Sequence, residues 1–314
     1  MARPLLHELA RRFPGAERSG IGPAAILELL GADRVLENSE AWDAADPAPR
    51  RETLNRLRAW KPDLALVLPP SFSSAWLAWS SGARRRVGFA HEGRSVLLTD
   101  ARRRGARGER HLSEEYHSLI DGNSAPDPRP SVPALELPAP AHQRAASFLG
   151  ERGIGDRPLA LLGPGAIYGP AKRWPPDRFA EIARRLQARG FAVLVCGAPA
   201  ESDVCGEVAN AAGVRSVAGG TDLITQAGLC ARAALAVCND SGLAHLAAAL
   251  GTPTVAVFGS TSSAWSAPLG PRVRVVQQAP VCSPCFRRTC RIGYRCLTAI
   301  EVTAVERACL EVAA

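Results

Sequence analysis

The sequence lacks any run approaching the ~20 consecutive apolar residues that a membrane-spanning helix requires. Its first nine residues include Pro4 and Glu8 and contain no continuous apolar segment, so they do not predict an export signal. Aromatic residues are scarce, and Phe89 is the only one interleaved with the basic segment 84–110, unlike the pattern of a nucleic-acid-binding protein. We therefore expect a cytoplasmic protein that does not bind nucleic acid.

A dinucleotide-binding fingerprint is also missing. Gly163 and Gly165 follow an apolar run, but the third glycine of the Gly-x-Gly-x-x-Gly spacing is not there. This argues against an NAD-dependent dehydrogenase. The 314 residues exceed what one hydrophobic core usually serves, so two domains are expected.

The boundary is predicted in a proline-rich segment. Six prolines lie between residues 121 and 140, a stretch without helical periodicity. We predict a first domain over residues 1–125, a linker over 126–140 and a second domain over 141–314.

Apolar runs alternate with helical patterns on both sides of this linker. In the second half, strands are predicted at 158–163, 191–196, 234–238 and 254–258, with helices at 175–190, from about 200, and at 241–250. The first half is similar, with strands predicted at 34–37, 63–68 and 86–89 and helices at 5–13, 51–60 and 73–81. Continuous apolar strands separated by helices indicate parallel sheets covered on both faces. We predict two Rossmann-like, doubly wound α/β domains that face each other across a cleft.

Residues just after the strands of such sheets bind ligands. After the first strand of the second half, Gly165 permits close backbone approach, and Lys172 and Arg173 supply positive charge for phosphate. A flexible loop with a surface Lys-Arg pair is the alternative. After the third strand, Asp240 or Ser241 can cap the next helix.

The start of that helix is a predicted anion site. The backbone amides around Gly242 lie at the positive end of the helix dipole, with His245 one turn inside. Ser260 and Thr261 follow the fourth strand as hydroxyl donors, and Glu201 follows the second, where a ribose often finds its acceptor. Together these loops describe a pocket for a nucleotide sugar.

The segment from Arg84 to Arg110 contains nine arginines and three acidic residues. Such a positive field attracts acidic saccharides, phospholipid headgroups or other polyanions. The alternative is a solvated arginine-rich surface without a partner.

The ordered set of motifs resembles the ADP-heptose:lipopolysaccharide heptosyltransferases of glycosyltransferase family 9. It comprises Lys172-Arg-Trp-Pro, Gly197-Ala-Pro with Glu201, Asn239-Asp-Ser-Gly with His245, and Phe258-Gly-Ser-Thr. In the first half it includes Pro69-Pro-Ser-Phe-Ser-Ser74, Arg86-Val-Gly-Phe and Gly93-Arg94.

The resemblance implies a GT-B fold and an inverting transfer of heptose from ADP-heptose to the inner core of lipopolysaccharide, at the cytoplasmic face of the inner membrane. It implies that no metal is needed, because lysine and helix amides replace the divalent cation. We also expect a monomer. The acidic acceptor would meet the arginine-rich segment. The implied donor residues are Gly165, Lys172, Arg173, Glu201, Asp240, Ser241, Gly242, His245, Ser260 and Thr261, and the implied acceptor residues are Ser71, Ser74, Arg86 and Arg94.

The chain departs from the family at its start. The family takes its general base, an aspartate, from a loop between the first strand and the first helix, and residues 4–14 already resemble that helix. We expect the strand and the aspartate to precede Met1, so no catalytic residue is assigned. The alternatives are a sugar-nucleotide-binding remnant without activity and a relative that uses another nucleotide sugar.

Nine cysteines fall into two groups. Cys282, Cys285, Cys290 and Cys296 have spacing that could close a tetrahedral zinc site, although free or redox-sensitive thiols are the alternative. The other five lie singly in apolar or helical segments and are predicted to be buried, at positions 196, 205, 230, 238 and 309.

Overall fold

The computed structural model describes residues 1–42, 50–91, 93–121 and 132–314. The chain divides into two compact units, unit 1 (Met1–Pro133) and unit 2 (Ala134–Ala314). Across the described ranges, no helix has both the length and the apolar character needed to cross a membrane. Both units consist of parallel strands connected by helices, which confirms the predicted α/β class.

Unit 1 contains two parallel sheets in its described residues, one pairing β1 with β2 and one with the order β3-β4-β5. Val87 and Phe89 of β4 are buried against Leu119. The described helices and strands are α1 (Arg3–Arg12), β1 (Ser19–Gly22), α2 (Ala24–Ala32), β2 (Asn38–Ala41), α3 (Arg50–Trp60), β3 (Leu64–Val67), α4 (Phe72–Ser80), β4 (Arg85–Phe89), β5 (Asp100–Arg102) and α5 (Leu112–Asp121).

Unit 2, which is described throughout, is built on one six-stranded parallel sheet with the order β11-β10-β9-β6-β7-β8. Its elements are α6 (Ala139–Gly150), β6 (Leu159–Gly163), α7 (Pro176–Ala188), β7 (Ala192–Val195), α8 (Ser202–Ala212), β8 (Arg215–Ser216), α9 (Leu223–Arg232), β9 (Leu235–Asn239), α10 (Gly242–Ala249), β10 (Thr254–Phe258), α11 (Ser263–Ser266), β11 (Val273–Gln277), α12 (Arg295–Thr298) and α13 (Val302–Ala313).

Helices bury both faces of this sheet, and the strand residues alternate between two cores. Leu162 of β6 and Val237 of β9 pack with α7, α8 and α13, whereas Leu161 and Ala236 pack with α6, α9 and α10. Because side chains alternate along a strand, a sheet covered on both faces requires apolar residues at every position. This requirement explains the continuous apolar runs of the second half.

Helix α7 illustrates how the sequence sets the elements of this unit. Pro176 occupies its first turn, where the missing N–H has no intrahelical acceptor, and the buried face carries Phe179, Ile182 and Leu186. At α9 the side chain of Asp222 accepts the backbone N–H of Thr225 at 2.7 Å, which closes the start of the helix.

The predicted strand at 34–37 is wrong. Arg34 has a φ of 53°, in the left-handed region, directly after α2, so the chain turns there and the strand begins only at Asn38. Four further strands of the described residues escaped prediction, namely β1, β5, β8 and β11. β1 has the sequence Ser-Gly-Ile-Gly, and glycine has little preference for strands.

Of the predicted linker 126–140, residues 126–131 lie outside the described residues. Leu135 is buried, and its N–H donates to the carbonyl of Ala249 at 2.7 Å. Ala139 and Pro140, at the end of the predicted linker, form the first turn of α6 instead. Proline is favourable at that position, so the proline spacing alone did not separate linker from helix.

Candidate functional site

The strand order of unit 2 reverses between β6 and β9. The chain runs from β6 through β7 to β8 on one side, then returns to β9 and continues to β11 on the other. Gly163 and Cys238, near the carboxyl ends of β6 and β9, are register partners. The loops after these two strands therefore leave the same edge side by side, which is the usual ligand position in open parallel sheets.

A buried ion pair joins these two loops. Lys172 Nζ, in the loop after β6, lies 2.5 Å from Oδ2 of Asp240, which follows β9. Thr261, after β10, donates its hydroxyl to the same oxygen at 2.6 Å. The two charged side chains are only 14% and 3% exposed, so the lysine charge is held in a poorly hydrated place. Lys172 Nζ also lies 5.0 Å from the centre of the Tyr168 ring, a cation–π distance.

The start of α10 lies beside this ion pair and has no side-chain cap. Ser241 occupies the N-cap position, but its side chain makes no capping hydrogen bond, and its Oγ is buried without a partner. The expected capping by Asp240 or Ser241 is thus wrong, because Asp240 is held by Lys172 and Thr261. The amides of the first turn, beginning at Gly242, keep no side-chain acceptor and carry the positive end of the helix dipole.

His245 lies one turn into α10. Its Nε2 is 4.0 Å from Oδ1 of Asp240, and its side chain is 28% exposed. The lysine and the histidine thus both lie near one carboxylate, and the amide end of α10 begins two residues after it. An incoming anion with two phosphates could replace that carboxylate as their partner.

Glu201 lies against the glycine of the neighbouring loop. Its Oε2 accepts the backbone N–H of Ala198 at 2.8 Å, and the residue is 8% exposed. A Cβ added at Gly165 would lie 2.9 Å from Cβ of Glu201 and closer still to its carboxylate. Gly165 is therefore required for Glu201 to sit at the carboxyl end of β6.

The remaining predicted donor residues hold the loops together through the backbone. Arg173 donates to the carbonyl of Ala166 at 3.3 Å within its own loop. The N–H of Ser260 donates to the carbonyl of Ala171 at 3.1 Å, which fixes the residue before Lys172. The hydroxyl of Ser260 is buried without a hydrogen-bond partner.

Asn239 was not singled out by sequence reasoning, yet it connects the two ends of the lysine loop. Its Oδ1 accepts the N–H of Trp174 at 3.0 Å and its Nδ2 donates to the carbonyl of Pro164 at 2.7 Å. The residue is completely buried. Its position directly before Asp240 was the one sequence feature that pointed to a role. A buried amide side chain at the end of a strand follows no periodic pattern, so its hydrogen bonds could not be predicted.

The model of glycosyltransferase family 9 (heptosyltransferase) matches residues 50–295. The chain belongs to this family. Lipopolysaccharide heptosyltransferase 2 of Escherichia coli is 32% identical over 295 residues, covering 88% of this chain and 84% of the relative. The protein of the same name from Salmonella typhimurium is 33% identical over 298 residues, with the same coverages. The structure of Escherichia coli ADP-heptose LPS heptosyltransferase II superposes with a TM-score of 0.82 at 27% identity, covering 99% of this chain and 94% of that one.

Membership in family 9 agrees with the GT-B fold and with the glycosyltransferase class expected from the motifs. In unit 1 of this family 9 chain, Ser71 caps α4 by accepting the N–H of Ser74 at 3.2 Å. Arg86 donates to the carbonyl of Leu97 at 2.8 Å and to that of Ala83 at 2.6 Å. Ser71 therefore stabilises the loop after β3, and Arg86 joins the segment before β4 to the segment after it.

Arg94 is completely buried in this unit. Its guanidinium donates to the carbonyls of Phe89 at 2.8 Å and Ser71 at 3.1 Å, to Ser74 Oγ at 3.2 Å, and to the carbonyl of Pro69. Burial lowers the pKa of Arg94. No described carboxylate pairs with it, so the charge is solvated by three backbone carbonyls and the hydroxyl of Ser74, and Nη2 is buried without a hydrogen-bond partner.

The cysteine segment of the family 9 chain supports the donor loops through its backbone. The amides of Cys285 and Phe286 donate to the carbonyl of Ser260 at 3.0 and 2.8 Å. The carbonyl of Arg288 accepts the N–H of Ala171 at 3.0 Å, and Tyr168 donates its hydroxyl to the carbonyl of Phe286. The segment thus holds the loops after β6 and β10 together.

The candidate zinc arrangement is not found in the described residues, where no group of three or more His, Cys, Asp and Glu side chains is placed to hold a metal ion. Cys282 and Cys285 are exposed, whereas Cys296 is buried in α12. The Sγ of Cys290 accepts two backbone N–H bonds at 3.3 and 3.4 Å, which lower its pKa. The five other cysteines are buried, as predicted, and burial raises the pKa of Cys205 to about 12.

Proposed function

We propose that this chain transfers a heptose, with inversion, from ADP-heptose to the inner core of lipopolysaccharide. The observation that carries the proposal is the position of Lys172 beside the uncapped start of α10, at the point where the strand order reverses, in a family 9 chain. Such a place supplies fixed charge and backbone donors for a diphosphate leaving group.

Different donor residues bind different parts of the nucleotide sugar. Lys172 and the amides from Ser241 and Gly242 receive the diphosphate, and His245 lies within reach of the same groups. Binding exchanges the Lys172 contact with Asp240 for one with phosphate. Because these groups neutralise the departing charge, we propose that the transfer needs no metal and no other cofactor.

The other predicted donor residues bind the nucleoside or hold the loops of the donor site in place. Glu201, seated against Gly165, retains carboxylate lone pairs for the ribose hydroxyls. Ser260 has a buried hydroxyl without a partner, and Thr261 holds Asp240 in place. Arg173 contributes by fixing its loop.

The acceptor is assigned to unit 1. Ser71 and Ser74 lie at the exposed start of α4, and Arg94 positions them from below rather than touching the acceptor. Arg86 has the same supporting role through its carbonyl contacts. We propose that the enzyme acts as a monomer at the cytoplasmic face of the inner membrane, where its acidic acceptor is anchored.

Mass spectrometry of a transfer reaction tests the proposal. The chain is incubated with ADP-heptose and a lipopolysaccharide precursor that ends before the added heptose, and we expect one heptose to be added. A Lys172→Met variant is expected to lose the product, and other nucleotide sugars to give none. Binding of ADP-heptose without any transfer would instead support the sugar-nucleotide-binding alternative, and transfer of a different sugar would reassign the donor.

A further inference from the structure

Helix α4 exposes three large aromatic side chains along one side. Phe72, Trp76 and Trp79 follow the spacing i, i+4, i+7 and are 48%, 41% and 53% exposed. We call these three residues the aromatic face. The opposite side of α4 is buried through Ala75 and Ala78. Single exposed apolar residues are ordinary, but a contiguous aromatic row on a helix is typical of a binding surface.

Cations surround the carboxyl end of this helix. Arg58 donates its Nε to the carbonyl of Ser80 at 2.8 Å, and the N–H of Gly82 donates to the carbonyl of Trp79, which brings the following Arg84 near the same end. Lys61 is exposed as well, and it lies near Arg84 because the N–H of Arg84 donates to the carbonyl of the adjoining Pro62. We call Arg58, Lys61 and Arg84 the basic rim.

The basic rim keeps most of its charge. The described carboxylate closest to Arg84 is that of Asp63, 3.6 Å away, and both side chains are more than 80% exposed. Such an exposed pair is worth little in water and is screened by salt. The surface therefore combines an aromatic row with net positive charge.

We infer that the aromatic face lies on the surface of an anionic phospholipid bilayer. Tryptophan rings are favourable at the boundary between headgroups and acyl chains, and arginine and lysine are attracted to anionic headgroups. A short helix with one apolar side lies in the plane of that boundary. A second copy of this chain would fit less well, since a symmetric contact would bring two basic rims together.

The inference rests on the proposed function in one respect, because a membrane-anchored acceptor gives this docking its purpose. Ser71 and Ser74, assigned to the acceptor, belong to the first turn of the same helix. Docking α4 on the bilayer would hold these hydroxyls at the level of the headgroups. Lipid binding itself requires neither ADP-heptose nor transfer, so it can be measured independently.

Co-sedimentation of the full chain with vesicles tests the inference. We expect binding to vesicles of phosphatidylglycerol and phosphatidylethanolamine and little binding to phosphatidylcholine. The triple variant Phe72→Ser, Trp76→Ser, Trp79→Ser should lower the partition coefficient at least about tenfold. Arg58→Gln and Arg84→Gln should each lower it about fivefold at low salt.

Three controls make the result specific. Leu310→Ser removes an apolar residue of unit 2 that is 48% exposed and should leave the partition coefficient unchanged. Replacing Trp76 and Trp79 by Phe keeps an apolar surface, so binding should persist while quenching of tryptophan fluorescence by spin-labelled lipid falls. Calorimetry with ADP should give the wild-type affinity for the triple serine variant, and circular dichroism should give its wild-type helix content, which together show that both units are folded.

Three outcomes would overturn the inference. The chain could fail to bind anionic vesicles, the triple variant could bind as well as wild type, or sedimentation could show a dimer that the triple variant abolishes. If the chain does not transfer heptose but still binds vesicles through the aromatic face, only the proposed function is overturned.

Discussion

The ion pair between Lys172 and Asp240 makes a prediction about both stability and ligand binding. In the donor-free chain the two side chains neutralise each other at 2.5 Å. Lys172→Met removes the charge at nearly constant shape and leaves Asp240, 3% exposed, with Thr261 as its hydrogen-bond donor. We expect the free energy of unfolding to fall by about 3 kcal/mol, since removing one partner of a buried pair strands the other.

Affinity for ADP should fall as well. A lysine–phosphate hydrogen bond is charge-assisted, so its loss should weaken binding roughly ten- to a hundredfold. Asp240→Asn keeps the shape and the Thr261 contact but removes the anion that competes with the diphosphate for Lys172. This variant should lose stability while binding ADP at least as tightly as wild type.

A double-mutant cycle separates the two effects. Urea unfolding of wild type, the two single variants and the combined variant should give a coupling energy of about 1–3 kcal/mol, because the combined variant leaves no charge stranded. Isothermal calorimetry with ADP supplies the affinities. If Lys172→Met unfolds cooperatively and binds ADP with the wild-type Kd, then Lys172 does not hold the diphosphate.

Three further predictions concern single positions. Gly165→Ala should destabilise unit 2 by about 1–3 kcal/mol in urea unfolding and weaken ADP binding, because its methyl group meets Glu201. Adding Glu201→Ala to this variant should recover part of the lost stability. An unchanged unfolding midpoint for Gly165→Ala would contradict this expectation. Arg94→Met should lower the free energy of unfolding by about 3 kcal/mol, and Arg94→Lys should not restore it, since an ammonium cannot match the planar fork; a lysine variant as stable as wild type would argue against this account. Hydrogen bonds from the arginines one turn along α1 lower the pKa of Glu8 from 4.5 to about 2. Its stabilisation is therefore present above pH 4.5 and lost as the pH falls towards 2, so acid unfolding of Glu8→Gln should lack that dependence, and identical pH profiles for variant and wild type would disprove it.

The fold of unit 2 followed from the sequence because its strands are apolar on both faces. The runs that become β6, β7, β9 and β10 have no competing helical pattern, and the structure confirms them within a few residues. β11 lies at the edge of the sheet and contains the polar residues Arg274 and Gln277, so no continuous apolar run predicts this strand. Edge strands depend on a pairing partner, which periodicity does not reveal.

The candidate site was predictable as a set of residues but not as a set of contacts. Because ligands bind beyond the carboxyl ends of parallel strands, the sequence alone predicted that Lys172, Asp240 and Thr261 belong to one site. It could not show that Asp240 turns to Lys172 rather than capping α10, because the choice depends on a lysine 68 residues earlier in the chain. The role of Asn239 was hidden for the same reason, since both of its partners are backbone groups of a distant loop.

Hydrogen exchange with mass spectrometry, in the presence and absence of ADP-heptose, tests the central claim most directly. If the start of α10 and the lysine loop hold the diphosphate, ADP-heptose should slow exchange in residues 240–246 and 164–174 of unit 2, and Lys172→Met should reduce that protection. Protection confined to other segments at saturating ligand, with these two unchanged, would contradict the account.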